Sequence, residues 1–433
     1  MLFHLCTPDF SIWGNGRYTP NLVVHLWPWS DMLNERLAHL NDYPFARLAA
    51  LIADVAPRAN EAPIAMSVGD PQHQPPAFAA EIVAKNFDKW NAYPPLNGTP
   101  ELRQAIGGWL ERRFKLAGGA LDVETQLATV AGAREGLFIA AMLAVGAHKG
   151  GKQPVALMPN PLYQIYYGAA IAAGAEPVFL SATSETGFLP DLDAIPRDTL
   201  ARTAIFYLCT PGNPQGAIAS PDYLAKAIGL AREHDFLLVI DECYCELYYG
   251  DVVPSGGIEI AYRLGRGPQG HALDNVMSFH TLSKRSSAAG MRSGFAVGAP
   301  NAIATLNRLR SYSCAAQPVP IQAASAALWR DETHAIETRA LYKAKFDAAQ
   351  KLLGGHKGYY PPQAGMFLWI DVGDGEAMTR RLWQEAAIKV LPGRYLTKNE
   401  PDGRNFGAPY IRIALVHEQE TVERALQRVA ALL

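Results

Sequence analysis

The stretch FLLVIDECYC, residues 236–245, decides the fold class that this sequence predicts. Its apolar residues run without alternation into Asp241, which is typical of a strand covered on both faces of a parallel sheet. Open α/β sheets bind their ligands at the carboxyl ends of the strands, where Asp241 would lie. A buried carboxylate needs a partner there, and Tyr244 adds a phenol three residues later. The alternative is an Asp that caps a helix beside a core tyrosine.

Further apolar runs alternate with helical patterns on both sides of this stretch, which predicts βαβ units and a mainly parallel sheet. The predicted strands are Val155–Met158, Pro177–Leu180, Ala204–Cys209, Phe236–Ile240, Asn275–Phe279 and Phe295–Val297. The predicted helices are Pro100–Arg113, Glu135–Val145, Tyr163–Ala173, Pro221–His234 and Ala302–Leu309. We therefore predict an α/β fold for the larger part of the chain.

The pattern changes after about residue 315, where the long helical region Ile321–Leu353 precedes the strand Met366–Ile370 and the helix Gly375–Ala387. This order predicts a second, smaller α/β unit, which a helix over Met32–Val55 would complete. The predicted divisions are an irregular N-terminal extension (1–31), a segment that joins the small domain (32–70), a large domain (71–314) and a small C-terminal domain (315–433). We expect the extension to be dispensable for folding and activity.

Composition narrows the class of protein. A chain of 433 residues with 49% hydrophobic and 18% charged residues is typical of a soluble globular protein. The formal net charge of -2 gives no reason to expect nucleic acid or a membrane as a partner, and no apolar run is long enough to span a bilayer. The five cysteines follow neither a metal-site nor a disulfide spacing. We therefore predict no metal and a reducing, cytoplasmic location.

Lys284 lies in the segment SFHTLSKRSSAAGMRSGF, residues 278–295, directly after a predicted strand. A lysine amine attacks carbonyl groups only when burial or a neighbouring cation lowers its pKa. Arg285 and Arg292 would supply such a field, and Arg292 with Thr281 and Ser283 would suit a dianionic phosphate. The alternative is a basic surface loop.

Two turns rich in small residues follow other predicted strands. In TPGNPQG, residues 210–216, two prolines and two glycines fix an irregular turn that presents the amide of Asn213. In AGAREGL, residues 131–137, Gly132, Ala133 and Arg134 begin a helix, whose N-terminal N–H groups form an anion site. The alternatives are a plain turn and an arginine that points to solvent.

Two further side chains are candidates for ligand contact. Tyr163 in NPLYQIYY follows a strand and would stack on a flat ring, although a core tyrosine is an equal alternative. Arg412 lies inside the apolar strand PYIRIAL, where a charged residue needs a partner. A bidentate grip on a substrate carboxylate would explain Arg412; the alternative is a structural salt bridge.

The order of these motifs resembles the class I/II aminotransferases, pyridoxal-phosphate (PLP) enzymes of fold type I, from about residue 32 to the C-terminus. In that family an Asn in an N-P-x-G turn precedes a D-x-x-Y strand end, an S/T-x-x-K loop and an Arg eight residues later. The resemblance implies a large domain with a mainly parallel, seven-stranded-type sheet, and a smaller α/β domain. Departures are Ala289, where a proline is common, and Ala133, where many members carry a hydroxyl.

The resemblance also implies a role for each matching residue. Lys284 carries PLP as a Schiff base and moves the α-proton of the substrate, while Asp241 holds the ring nitrogen. Asn213 and Tyr244 bind the ring hydroxyl. The remaining cofactor ligands would be Gly132, Ala133, Arg134, Tyr163, Thr281, Ser283 and Arg292. Gly69 in SVGDP, Asn213 and Arg412 would bind substrate, and Tyr93 would reach the phosphate of a neighbouring subunit, which implies a homodimer.

The stretches DYPFARLAALI, SVGDPQHQPPAF and YPPLNGTPELRQAI are most similar to N-succinyldiaminopimelate aminotransferases. The implied reaction moves an amino group from an amino acid, by resemblance glutamate, to an oxo acid such as N-succinyl-2-amino-6-oxopimelate, in amino-acid biosynthesis. One alternative is a carbon–sulfur β-lyase of the same fold. Another is a ligand-binding protein that kept the scaffold without the activity.

Overall fold

The computed structural model describes residues 34–40 and 42–433, so the predicted extension 1–31 lies outside the described residues. Its strands are β1 (Ile64–Ala65), β2 (Leu127–Val130), β3 (Val155–Asn160), β4 (Glu176–Ser181), β5 (Thr203–Cys209), β6 (Leu237–Asp241), β7 (Val276–Thr281), β8 (Gly294–Gly298), β9 (Phe367–Asp371), β10 (Ile388–Lys389), β11 (Leu391–Pro392) and β12 (Tyr410–Ala414). Every strand predicted from the sequence is present, within one or two residues at most ends.

The α-helices are α1 (Pro44–Leu51), α2 (Ala77–Lys85), α3 (Pro100–Arg113), α4 (Ala133–Ala144), α5 (Gln164–Ala173), α6 (Arg197–Arg202), α7 (Pro221–Glu233), α8 (Gly257–Leu264), α9 (Leu282–Arg285), α10 (Pro300–Ser313), α11 (Val319–Arg330), α12 (Thr333–Leu353), α13 (Gly375–Ala386) and α14 (Gln419–Ala430). Short 3-10 helices lie at Glu35–His39, Phe87–Asn91, Ser184–Thr186, Ala289–Met291 and Gly393–Tyr395.

Seven strands form the main sheet, in the order β2-β8-β7-β6-β5-β3-β4. The pairs from β7 to β4 are parallel, whereas β8 is antiparallel to both β7 and β2. The predicted α/β fold is therefore confirmed, with one reversed strand in a mainly parallel sheet. The short strand β2 was not predicted, because four residues of the sequence LATV carry too little pattern to mark a strand.

Local signals in the sequence set where the helices around this sheet begin. The hydroxyl of Thr99 accepts a hydrogen bond from the N–H of Leu102, and Pro100 occupies the first turn of α3. Ser220 and Pro221 begin α7 in the same way. Both α3 and α7 thus start with an N-cap hydroxyl, followed by a proline that has no N–H to leave unsatisfied.

The small unit has its own core. β11, β12 and β9 form an antiparallel sheet, and β1 pairs in parallel with β10, which brings the segment around Ile64 into this unit. Buried apolar residues from α12, α13 and α14 pack on these strands. None of the described helices is long and apolar enough to cross a membrane.

The predicted helix over 32–55 is interrupted. Residues 32, 33 and 41 lie outside the described residues, and the rest forms the 3-10 helix Glu35–His39 and then α1. Tyr43 precedes Pro44 and has an extended backbone, with φ of -63° and ψ of 144°, because the proline ring disfavours the helical conformation of the residue before it.

The long helical region predicted over Ile321–Leu353 is two helices, α11 and α12. Helix α11 packs on α2 and α3, and the ring of Trp329 lies 4.7 Å from that of Trp109. Although the predicted small domain begins at residue 315, α11 shares the core of the large sheet. The division into domains stays a prediction, but α11 packs with the large domain and not with the small one.

Candidate active site

The carboxyl ends of three parallel strands meet at one edge of the main sheet. Their registers pair Cys209 with Asp241 and Asp241 with Phe279. The turn that contains Asn213 follows β5, Asp241 ends β6, and α9 with Lys284 follows β7. Residues far apart in sequence therefore line one cavity of about 620 Å³ between this edge and the small unit.

The cavity contains most of the residues that the sequence predicted as a site. These are Gly69, Ala133, Arg134, Tyr163, Asn213, Asp241, Tyr244, Thr281, Ser283, Lys284, Arg292 and Arg412. Gly132 lies just outside the lining, at the N-cap of α4. Tyr93 is fully exposed and is not part of the cavity of its own chain.

Lys284 is the nucleophile that the cavity offers. Its Nζ atom donates a hydrogen bond to the carbonyl of Gly69 at 2.5 Å. Burial, with smaller contributions from the charges of Arg412 and Arg134, lowers the pKa of Lys284 to about 8, against the opposing effects of Asp70 and Cys243. A larger fraction of this amine is therefore unprotonated near neutral pH than of an ordinary lysine.

Asp241 is 4% exposed. In the described structure, its carboxylate accepts hydrogen bonds only from neutral groups. The hydroxyl of Tyr166 donates to one oxygen at 2.6 Å, and the backbone N–H of Cys243 donates to the other at 3.2 Å. Burial raises the pKa of Asp241, while these hydrogen bonds oppose the rise. The carboxylate can therefore still gain from a cationic partner in the cavity.

Tyr166 was missed as a site residue, because the sequence placed it only within a predicted helix. Its ring stacks on that of Tyr207, with centroids 4.7 Å apart and planes at 10°. The hydroxyl of Tyr207 in turn donates to the carbonyl of Leu137 at 2.9 Å. The sequence did offer one signal. In the predicted helix Tyr163–Ala173, Tyr166 lies three residues after Tyr163 and therefore on the same face.

Arg412 links the two units across the cavity. Its guanidinium donates to the carbonyl of Ser67 at 2.7 Å and to the side-chain oxygen of Asn213 at 3.3 Å. The amide of Asn213 donates to the hydroxyl of Tyr244 at 3.4 Å. Burial lowers the pKa of Arg412 to about 10, and its Nε has no hydrogen-bond partner in the described structure. None of these contacts is an ion pair, and Arg412 forms no salt bridge with any of the described residues.

The N-terminus of α4 forms an anion cradle. Gly132 has a φ of 82° there, and a Cβ atom at this position would overlap the guanidinium of Arg292. Arg292 donates to the carbonyls of Ala131 and Ala289 at 3.0 and 2.9 Å. The hydroxyls of Thr281 and Ser283 lie 3.0 Å apart on the same side. N–H groups at a helix N-terminus, a guanidinium and two hydroxyls suit a phosphate.

Tyr163 precedes α5, and its hydroxyl accepts a hydrogen bond from Nε of Arg134 at 2.9 Å. Burial raises the pKa of Tyr163 to about 12, so the ring stays a neutral phenol. Arg134 is exposed to solvent, yet it also lines the cavity, where this hydrogen bond holds it beside Tyr163.

Arg285 differs from its expected role as a cation beside Lys284. It is 2% exposed and turns away from the cavity, donating to the carbonyls of Leu328 and Asp331 at 2.7 and 3.0 Å. Its guanidinium also lies 3.1 Å from the carboxylate of Glu332. Successive residues of the short helix α9 point in different directions, so Arg285 anchors α9 to α11 instead.

The sequence also left several lining residues unnamed. They are mainly apolar or aromatic and include Tyr43, Phe45, Cys209, Cys243, Phe367 and Leu396. No sequence motif marks such residues, because an apolar wall has the same composition as a core. Their segments come from both units, so the cavity depends on the tertiary fold.

The donor set fits PLP group by group. The buried carboxylate of Asp241 suits the ring nitrogen, and the Asn213–Tyr244 pair suits the ring hydroxyl. The cradle at Gly132, which a side chain would fill, suits the phosphate. The amine of Lys284 suits the aldehyde. The unpartnered Nε of Arg412 remains for a carboxylate of the substrate.

Comparisons with known proteins agree with this geometry. The family model Aminotransferase class I and II matches residues 61–429. An LL-diaminopimelate aminotransferase of Syntrophobacter fumaroxidans is 32% identical, over 92% of this chain and 98% of its own length. A crystal structure of an aminotransferase from Neisseria meningitidis Z2491 has a TM-score of 0.86 and 34% identity, over 92% of this chain and 100% of that one. Aminotransferase AspB from Helicobacter pylori 26695 has a TM-score of 0.82 and 31% identity, over 91% and 98%. This chain therefore belongs to the class I and II aminotransferases and is a transaminase that depends on pyridoxal phosphate.

Proposed function

We propose that this transaminase exchanges an amino group between glutamate and a longer amino-dicarboxylic acid of the diaminopimelate type. Relatives that are 32% and 30% identical over nearly their whole length are LL-diaminopimelate aminotransferases. The similarity of the amino-terminal third to N-succinyldiaminopimelate aminotransferases makes the succinylated compound the second substrate to test. Both substrates carry an α-amino acid group and a distant carboxylate.

One observation carries this proposal: Arg412 and Lys284 line the same cavity. Hydrogen bonds to Ser67 and Asn213 hold the guanidinium of Arg412 in one orientation. A carboxylate bound there places the α-carbon of an amino acid in the cavity that the amine of Lys284 also reaches. Holding reactants in a productive geometry is a large part of catalysis.

Each residue then has a defined part in the exchange. PLP, when bound, supplies an aldehyde for the amino group and a ring that accepts electron density from the α-carbon. Lys284, as an unprotonated amine, would take the proton from the α-carbon of the bound amino acid and carry it within the cavity. Asp241 would hold a protonated ring nitrogen, which would favour acceptance of electron density by the ring. Arg412 orients the substrate.

The test is a set of single-turnover half-reactions with the purified holoenzyme. Glutamate, LL-diaminopimelate and N-succinyl-LL-diaminopimelate are each added without an oxo acid, and the change in cofactor absorbance is followed. We expect glutamate and one of the two longer compounds to convert the cofactor to its amino form. Lys284→Ala should abolish conversion by all three.

Arg412→Lys provides the second arm, because lysine keeps the charge but loses the bidentate geometry. It should weaken binding of every amino donor about tenfold or more, as expected for loss of one charge-assisted hydrogen bond. Arg404→Lys is the matched control, since Arg404 is exposed and pairs with Asp402. Release of pyruvate and ammonia from cystathionine without an oxo acid would instead show a β-lyase.

We also propose a homodimer with shared sites. Phe87, Trp90, Tyr93 and Tyr312 are aromatic side chains that the single chain leaves exposed, and exposed aromatic residues often mark interfaces. Sedimentation equilibrium should give twice the mass of the chain. Mixing Tyr93→Ala with Lys284→Ala subunits should restore one working site per hybrid. A monomer with full PLP affinity would contradict the proposal.

The cytoplasmic location is a further proposal. Cys209, Cys243, Cys245 and Cys314 are all free thiols, which agrees with a reducing compartment. Fractionation of cells that make the protein at native levels tests it directly.

A further inference from the structure

A second cavity of about 600 Å³ adjoins the cofactor cavity. Gln164 lines both cavities, and its amide donates to the carbonyl of Tyr395 at 3.3 Å. The same two segments build both walls. Phe45 faces the first cavity and Arg47 the second, while Leu396 faces the first and Tyr395 the second. Whatever occupies one cavity is therefore close to the wall of the other.

Two cations in the second cavity lack an acidic partner. Arg47 lies with its guanidinium carbon 3.9 Å from the ring centroid of Tyr395, and Lys398 lies with its Nζ 3.9 Å from the ring centroid of Tyr167. Both side chains are half-buried. Within residues 34–40 and 42–433, neither side chain forms a salt bridge or a hydrogen bond through its charged group. The charge of Arg47 adds to burial in lowering the pKa of Lys398.

The acidic residues nearby are engaged elsewhere or, in the case of Asp42, line the cavity while exposed to solvent. Glu376 pairs with Arg394 at 3.3 Å and accepts a hydrogen bond from the hydroxyl of Tyr395 at 2.7 Å. Glu400 accepts from the amide of Asn160 at 3.1 Å. Asp42 is exposed, and its carboxylate forms no salt bridge among the described residues. Like charges that face each other without a counter-ion repel, so an anion between Arg47 and Lys398 would stabilise this wall.

We propose that the second cavity binds a carboxylate through Arg47 and Lys398. The polar groups of Gln164, Thr397 and Asn405 line the same space and supply further hydrogen-bonding atoms. The carboxylate has two possible sources: the distal end of a long amino-dicarboxylic substrate held at Arg412, or a separate dicarboxylate. The first source rests on the proposed function, whereas the second does not.

The experiment uses the holoenzyme with Arg47→Gln and Lys398→Gln, tested separately. Lys389→Gln is the matched control, because Lys389 is also half-buried over an aromatic ring in the small unit, 4.8 Å from that of Trp383. Diaminopimelate and 2-aminoheptanoate, which has a similar length but no distal carboxylate, are compared in single-turnover half-reactions. If the substrate is the source, each variant should weaken diaminopimelate binding about tenfold and leave 2-aminoheptanoate unchanged. Arg47→Lys, which keeps the charge, should lose less affinity for diaminopimelate than Arg47→Gln.

A binding arm separates the second source and does not depend on catalysis. Calorimetric titration with glutarate is done in the Arg412→Gln background, which removes the substrate clamp. Suppose that glutarate binds to the Arg412→Gln protein and that adding Arg47→Gln abolishes this binding. If the single variants also have no selective effect on diaminopimelate, the cavity binds a separate dicarboxylate. If neither arm changes while urea unfolding shows the variants to be folded, the proposal is overturned. If no amino-dicarboxylic acid reacts but glutarate binding still depends on Arg47, the proposed function fails and the carboxylate site stands.

Discussion

The reactivity of Lys284 in the cofactor-free protein should follow its lowered pKa. The structure places that pKa at about 8, against 10.5 for an ordinary lysine. At pH 7 an amine with a pKa of 8 is roughly 9% unprotonated and one of 10.5 only about 0.03%, a ratio of about 300. Protonation of the folded-state amine rises as the pH falls through 8, so the rate of attack on a small electrophile should fall about tenfold per pH unit below that value.

The assay is competitive labelling with acetic anhydride over a range of pH. Purified apoprotein and an N-acetyl-lysine amide standard are labelled together, and the modified peptides are quantified by mass spectrometry. The ratio of the Lys284 peptide to the standard removes the intrinsic pH dependence of the reagent. A midpoint near 8 is expected for Lys284. A profile that parallels the standard up to pH 10 would refute the reasoning.

Two charge variants should shift the labelling midpoint of Lys284 in opposite directions, which tests the electrostatic cause separately. Arg412 lowers the pKa of Lys284 and Asp70 raises it. Arg412→Gln should therefore shift the midpoint upward, and Asp70→Asn should shift it downward. Shifts of the same sign in both variants would show that packing around Lys284 changed, and that the electrostatic account is wrong.

Three further predictions concern the surroundings of the site. Tyr166→Phe removes the 2.6 Å hydrogen bond to buried Asp241 and should lower the free energy of unfolding by about 1.5–3 kcal/mol in urea at pH 7. Tyr359→Phe is the neutral control, because the hydroxyl of Tyr359 forms no hydrogen bond in the described structure. Because the pKa of Asp241 is raised in the folded state, the carboxyl takes up its proton as the pH falls through that pKa, and the Tyr166→Phe deficit should shrink there. Gly132→Ala, at a φ of 82° beside Arg292, should weaken PLP binding at least tenfold in an equilibrium titration, with Gly229→Ala, which meets open space, as its control. Arg285→Met should cost about 1.5–3 kcal/mol of stability while the labelling midpoint of Lys284 stays in place, since Arg285 faces α11.

How far the sequence predicts this site depends on where each residue lies along a strand. Asn213, Asp241 and Lys284 each follow an apolar run, and the ends of parallel strands must meet at one edge, so their convergence was predictable. Tyr166 and Arg285 show the limit. Each lies one turn or one residue from a predicted site residue, and only the orientation of its helix decides whether it faces the cavity. Arg285 and Lys284 are neighbours in sequence yet face opposite sides, because α9 is a single turn.

The surroundings of Asp241 explain why neutral neighbours suit this site better than a structural ion pair would. A carboxylate already paired with a fixed arginine or lysine would gain little from a second cation, because its charge would be compensated in the absence of ligand. Tyr166 and the N–H of Cys243 compensate Asp241 only in part, since hydrogen bonds from neutral groups are weaker than those from cations. The remaining cost of burial is seen in the raised pKa of Asp241. A protonated ring nitrogen brought to this position would relieve that cost, so the burial of Asp241 among neutral groups would contribute to the free energy of cofactor binding. Tyr166→Phe should accordingly destabilise the apoprotein more than the holoprotein at neutral pH, and equal losses in the two forms would contradict this account.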